Sequence, residues 1–156
     1  LEKRIAFSTD ISVRLPELHA YTILSILSNL TANAIEAIHD KGTIAISMKR
    51  LSSDLHLEVT NTGSSIPLRR LKQIFRPGYT TKYDSDGRAS SGVGLTYIKA
   101  LAEHLGGSIT AASDGKDRVT FHITLPLDSL TTHPVTKIPA IRQADDAPPQ
   151  QKGTIS

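Results

Sequence analysis

The chain has 156 residues, no cysteine and no tryptophan, with 18 Lys and Arg against 15 Asp and Glu for a net charge of +3. That length suffices to bury one sizeable core; the missing cysteine excludes disulfides, thiolate metal sites and cysteine nucleophiles; and so small a net charge gives no argument for nucleic acid or a membrane surface. No apolar run approaches the roughly 20 residues that cross a bilayer, and no signal peptide is visible at Leu1, where the sequence reads as the middle of a longer protein.

Alternation of Ile5, Phe7, Thr9, Ile11 and Val13 predicts a first strand. Pro16 and Glu17 then open a helix. Its apolar residues Leu24, Leu27, Leu30, Ala34, Ile35 and Ile38 keep the helical period and predict a core face. Asn29 and Asn33 stand four residues apart on one side of it. Asn is a poor helix former and is costly to desolvate, so a pair beside a core stripe suits a polar partner such as hydrated Mg²⁺ carrying nucleotide phosphates. A solvated helix edge is the other reading of the pair taken alone. His39-Asp40-Lys41-Gly42 closes the helix, with Gly42 suited to a left-handed cap.

Residues 43–49 and 54–60 predict a hairpin around Ser52-Ser53, and its second strand ends in Asn61-Thr62-Gly63-Ser64-Ser65-Ile66-Pro67. Asn61 can offer its carbonyl to an exocyclic amine, while Gly63 lets a flat ring approach the backbone. A short helix follows Pro67. Next comes Ile74-Phe75-Arg76-Pro77-Gly78-Tyr79-Thr80-Thr81-Lys82, where hydroxyls and a cation lie just beyond an aromatic anchor. Residues 83–91, rich in Ser, Asp and Gly, predict a mobile lid. Ser90-Ser91-Gly92-Val93-Gly94-Leu95-Thr96 opens a second helix that continues through Ile98, Leu101, Ala102 and Leu105 to Gly106-Gly107. Glycines at a helix start bring backbone amides and the positive helix end onto phosphate. A strand over 108–112, the turn Asp114-Gly115-Lys116-Asp117 and a strand over 119–125 complete a two-layer α+β sandwich with helices on one face of a mixed sheet. Beyond Pro126 the composition turns to Pro, Gln, Thr and Ser, so 1–126 is expected to fold and 127–156 to be a disordered tail.

These segments, in this order, resemble the ATP-binding catalytic domain of sensor histidine kinases, within the gyrase, Hsp90, histidine kinase and MutL ATPase superfamily. Asn29 through Asn33 looks like the N box, Asn61 through Ile66 the first glycine box, Phe75 the F box and Gly92 through Leu95 the second glycine box. The resemblance implies a Bergerat-type fold, Mg-ATP as ligand, and γ-phosphoryl transfer to a histidine on a separate dimerisation domain, for onward passage to a response regulator in a two-component system. It places Mg²⁺ at Asn33 and Asn29. Lys82, Thr80 and Thr81 would hold the outer phosphates, the amides of Gly92, Val93, Gly94 and Leu95 the inner ones, and Asn61, Gly63, Ile66, Tyr79 and Thr120 would line the nucleotide pocket. The catalytic set implied is Asn33, Asn29 and Lys82, and the location is the cytoplasmic part of a membrane-bound sensor.

The chain departs from the family's pattern at Asn61, where an Asp is usual, at Ser65, where a second glycine is usual, and at Arg118-Val119, where Gly-Thr is frequent. A neutral amide forgoes a charge-assisted bond, about twice as strong as a neutral one, so weaker adenine binding is expected. ATPase relatives carry a Glu at the place of Asn29, which activates water; an amide there disfavours hydrolysis. Glu36, one turn beyond Asn33, reads equally as an orienter of metal-bound water or a solvated carboxylate. A hydrolytic ATPase of the same superfamily and a non-catalytic nucleotide-binding scaffold are the rival readings.

Overall fold

The computed structural model describes residues 2–14, 17–79 and 93–130. Strand β1 (Arg4–Ile11) is followed by helix α1 (Glu17–Ala37), strands β2 (Lys41–Leu51) and β3 (Asp54–Thr62), and a 3-10 turn at Leu68–Arg70. Helix α2 (Val93–His104), strands β4 (Ser108–Ser113) and β5 (Arg118–Pro126) and a one-turn helix α3 (Leu127–Leu130) complete the described chain. The strands form one mixed sheet in the order β1-β2-β3-β5-β4, parallel between β1 and β2 and antiparallel elsewhere.

Strict alternation splits the sheet into two faces. Leu55, Leu57 and Val59 of β3 and Val119, Phe121, Ile123 and Leu125 of β5 are buried beneath the helices. From α1, Ile23, Ile26, Leu30 and Ala34 descend onto them at helical spacing, joined by Ile38 just past the helix end, and Ile98 and Ala102 of α2 do the same. The opposite face is polar: Thr60 Oγ1 lies 2.9 Å from Thr120 Oγ1, and His56 Nδ1 lies 2.9 Å from His122 Nε2.

Helix α1 stops at Ala37, and Lys3 Nζ donates to the carbonyl of Ile35 at 2.9 Å, satisfying an acceptor the last turn leaves open. The cap expected at Gly42 does not form. Gly42 has no positive φ and lies in β2. A Cβ there would meet the carbonyl oxygen of Thr62 at 2.4 Å, so the position needs a glycine for closeness of approach rather than for backbone conformation. Helix α2 ends as the sequence predicts, with Gly106 at φ +79° and the Gly107 amide donating to the carbonyl of Ala102 at 2.7 Å.

The folded unit runs past Pro126. The Leu127 amide donates to the carbonyl of Ser53 at 2.9 Å and Leu130 is buried, so residues 127–130 belong to the folded unit although the sequence places its end at Pro126. The expected lid and the tail from 131 onward lie outside the described residues.

A Cβ at Gly107 would fall 2.0 Å from the carbonyl oxygen of Thr124 and 3.0 Å from Leu125 Cδ2, forcing the end of α2 away from β5. Urea denaturation of Gly107→Ala is expected to show a loss of about 2–3 kcal/mol, the usual scale for overpacking.

Candidate nucleotide-binding site

The apolar stripe of α1 sets its rotation, and that rotation carries Asn29 and Asn33 to the flank facing α2. Asn29 is fixed by its own helix, its Nδ2 donating to the carbonyl of Ser25 at 2.8 Å. Its Oδ1 is thereby turned off the helix. At the start of α2, a Cβ on Gly94 would lie 3.7 Å from Asn29 Oδ1 and 4.0 Å from Asn33 Oδ1. Both carboxamides thus face Gly94 in the first turn of α2, Asn33 with its Nδ2 at 3.9 Å as well as its Oδ1. The first-turn amides and the positive helix end meet oxygen donors there, an arrangement suited to a cation that carries phosphate. The donor set fits Mg²⁺, which takes oxygen ligands, keeps several waters and is held by few protein groups together with substrate phosphates. Among the described residues no group of three or more His, Cys, Asp or Glu is placed to hold a metal by itself.

The second part of the site is the end of β3. Asn61 is buried between its cross-strand partners Ile44 and Val119, and its Nδ2 donates to Ser64 Oγ at 2.9 Å. Gly63 adopts φ +86°, and a Cβ there would meet the Lys41 carbonyl oxygen at 2.5 Å and Ile38 Cγ2 at 3.4 Å. The first glycine turn therefore rests against Ile38, just past the last turn of the helix that carries the Asn pair. Ile66 packs against the core, and its amide donates to Ser113 Oγ at 3.3 Å. Phe75 meets Phe121 edge to face at 6.4 Å, and its carbonyl accepts from Thr96 Oγ1 at 3.4 Å, tying the aromatic anchor to the first turn of α2. Tyr79 and Leu95 are half-buried against the same core.

Thr120 is not in this group. Alternation along β5 buries Val119 and Phe121 beneath the helices and sends Thr120 to the opposite face, where its hydroxyl is bonded to Thr60. Expected to line the nucleotide pocket, it lies on the face away from that of Asn61, beside which Val119 stands instead. Thr80, Thr81, Lys82 and Gly92 lie outside the described residues, and of Val93 only its place at the start of α2 is described.

Sequence reasoning missed the brace behind the first glycine turn. Ser64 N–H donates to the carbonyl of Asp117 at 3.3 Å, and Ser113 serves Ile66 as above, so the β4–β5 turn holds residues 64 to 66 from outside. Asp114 organises that turn, its Oδ1 accepting the amides of Lys116, Asp117 and Arg118 at 2.9, 3.1 and 3.0 Å. These donors, with that of Lys116 foremost, hold its carboxyl below the ordinary value of 3.8. The Asp114-Gly115 pair signals the turn in sequence, but nothing local signals what the turn touches.

A family model described as "Histidine kinase-, DNA gyrase B-, and HSP90-like ATPase" matches residues 19–129. Sensor histidine kinase GlnK of Bacillus subtilis (strain 168) is 36% identical over 132 residues, covering 83% of this chain and 32% of that protein. Sensor histidine kinase ZraS of Escherichia coli (strain K12) is 33% identical over 116 residues, covering 73% of this chain and 24% of that protein. The chain thus spans a third or less of the length of these curated relatives. Among solved structures, the nucleotide-free catalytic domain of histidine kinase ThkA is similar at a TM-score of 0.64 with 28% identity, 78% of each chain being covered. Full-length ShkA in complex with AMPPNP shares the fold at a TM-score of 0.65 with 21% identity, over 78% of this chain and 25% of that one.

Two expected outcomes follow from the site's construction. Gly94→Leu should keep its melting temperature within a few degrees while weakening Mg-nucleotide binding by more than about tenfold in calorimetric titration, equivalent to about 1.4 kcal/mol, because the side chain enters the gap between the two carboxamides. The depressed Asp114 carboxyl stabilises the folded state fully above its unfolded value near 3.8, and that contribution is lost as pH falls through the lower folded value. Comparing acid unfolding of the wild type with Asp114→Ala should show the variant's stability flatter with pH across that window.

Proposed function

Since the chain belongs to the histidine kinase-, DNA gyrase B- and HSP90-like ATPase family, and is on its histidine kinase side an ATP-binding domain, we propose that it binds Mg-ATP and donates the γ-phosphoryl group to a histidine on the dimerisation domain of the same sensor, for onward transfer to a cognate response regulator. The observation that carries this reading is the approach of the Asn29 and Asn33 carboxamides to Gly94 in the first turn of α2.

Asn33 and Asn29 would hold Mg²⁺, whose contribution when bound is to neutralise charge spreading over the transferred group. The amides at the start of α2, around Val93, Gly94 and Leu95, cradle the inner phosphates. In this reading Gly92 extends that cradle, and Thr80, Thr81 and Lys82 close over the outer phosphates. Asn61, Gly63 and Ile66 receive the base, and Phe75 with Tyr79 keeps that end of the cleft packed. A neutral imidazole is already a nucleophile, so orientation supplies most of the rate. Water needs a base to become one. The position that would supply it carries the amide of Asn29, already engaged with Ser25, which favours donation to protein over hydrolysis. No helix among the described residues is long and apolar enough to cross a membrane; the proposed setting is the cytoplasmic part of a membrane-bound sensor.

The test mixes the domain with the dimerisation segment of its parent and labelled Mg-ATP. Acid-labile, base-stable phosphate on histidine is expected. Measurable Mg-ATP binding with no label would favour a nucleotide-binding scaffold, and steady phosphate release from the domain alone would favour a hydrolytic ATPase. Asn33→Ala is expected to abolish magnesium-dependent nucleotide binding with an unchanged circular dichroism spectrum; unchanged affinity would remove the metal assignment.

A further inference from the structure

Among the described residues Asn61 is the sole buried polar side chain, 3% exposed, set in an apolar slot between Ile44 at 0% and Val119 at 2%. Half of its carboxamide is satisfied by Ser64 Oγ. Its other half has no hydrogen-bond partner among the described residues. No fully buried side-chain polar atom there is left unpartnered, so this second half reaches the open cleft rather than the core. Beside it Gly63, at φ +86°, packs against the Lys41 carbonyl oxygen and Ile38 and closes that side of the slot. A slot of this kind reads a single exocyclic substituent on a planar base.

A carboxylate at this position accepts on both oxygens and rewards only a donor such as an amine. A carboxamide carries one acceptor and one donor end, and which end meets the base is decided by what the other end can bond. Ser64 decides nothing, because a hydroxyl both donates and accepts. With Nδ2 on Ser64, the carbonyl faces the base and accepts from a 6-amino group. Turned over, Oδ1 accepts the Ser64 hydroxyl proton and Nδ2 donates to a 6-oxo group. Both orientations keep every buried polar atom bonded.

Building on the nucleotide-binding reading above, we propose that the Asn61–Ser64 pair is a two-way reader of the purine 6-position, so that the cleft admits 6-oxopurine nucleotides alongside adenine nucleotides. Ser64 is the positioning residue of the pair. The weaker adenine bond of a neutral amide and the tolerance of a 6-oxo group share one cause.

The test compares ADP with IDP in the presence of Mg²⁺ by calorimetric titration, since the two bases differ at the 6-position and its coupled N1 proton. Asn61→Asp is expected to tighten ADP, weaken IDP and raise the ratio of their affinities at least tenfold. An unmoved or falling ratio overturns the proposal while leaving the nucleotide reading intact; failure of both nucleotides to bind the wild type overturns the nucleotide reading itself. Should Asn61→Asp not fold, the wild type supplies a second measurement. The ¹⁵N-labelled side-chain amide of Asn61 is expected to move differently with ADP and with IDP, and identical shifts would overturn the two-way reader.

Discussion

The seating of α1 on the sheet is the constraint from which the rest of the site follows. Ile26, Leu30 and Ile38 are fully buried against the inner faces of β2, β3 and β5. Each such side chain contributes about 1.5–3 kcal/mol relative to exposure. A helix held by that stripe has no freedom to rotate about its axis, so residues on its flank point where the stripe dictates. Asn29 and Asn33 are on that flank, and Gly94 meets them there. The carboxamides lower helix propensity by up to about 0.7 kcal/mol each, far less than the stripe supplies. Binding groups that destabilise their own helix are affordable because the core, not propensity, holds the helix in place.

The sheet exerts a matching control at the other end of the cleft. Register places Ile44, Asn61 and Val119 side by side, and alternation turns all three toward the helices. Closeness of backbone then does what side chains cannot. Gly42 lies against the carbonyl of Thr62 and Gly63 against that of Lys41, so the two strand ends and Ile38 meet without intervening atoms. The β4–β5 turn braces the loop from outside through Ser113 and Asp117. The glycine turn is therefore supported on both sides.

Much of this was legible in the sequence, for reasons that differ by element. The helical period of α1 and the alternation of β3 and β5 are local patterns, and the ranges they predict match the observed elements closely, although on α1 the expected core residues Leu24 and Ile35 are exposed and Ile23 and Ile26 are buried instead. Gly42 was misread because glycine answers two different demands, a left-handed φ and a close approach, and only the second depends on Thr62, which lies in another strand. Thr120 was misread although the answer was present: Val119, Phe121, Ile123 and Leu125 claim the buried face, which leaves Thr120 on the other. Chemistry was followed there in place of periodicity. The contact between Ile66 and Ser113, 47 residues apart, carries no local signature, since it exists only once β3, β4 and β5 are aligned, whereas the bond from Asn61 to Ser64 spans only three residues. Leu130 escaped for a related reason, because one apolar residue in a polar stretch becomes core only when α3 folds back on the sheet.

Neutrality is the property the polar groups of the cleft share. Asn29, Asn33 and Asn61 present amides where carboxylates would serve other chemistry: Asn29 has one end engaged with Ser25 and Asn61 with Ser64, while Asn33 faces Gly94. Near a triphosphate, every carboxylate withheld is a repulsion avoided, and the start of α2 can act on the phosphates with its field undiminished. The same substitution removes any proton acceptor from the position beside the phosphates. A nucleophile that must first lose a proton gains nothing from such a cleft, whereas one that arrives with a lone pair ready, as a neutral imidazole does, loses nothing. At the base end, an amide gives up the charge that would enforce one kind of partner. In the proposed function, the cleft would thereby be selective for its nucleophile and permissive for its base, from the same physical choice applied at its two ends.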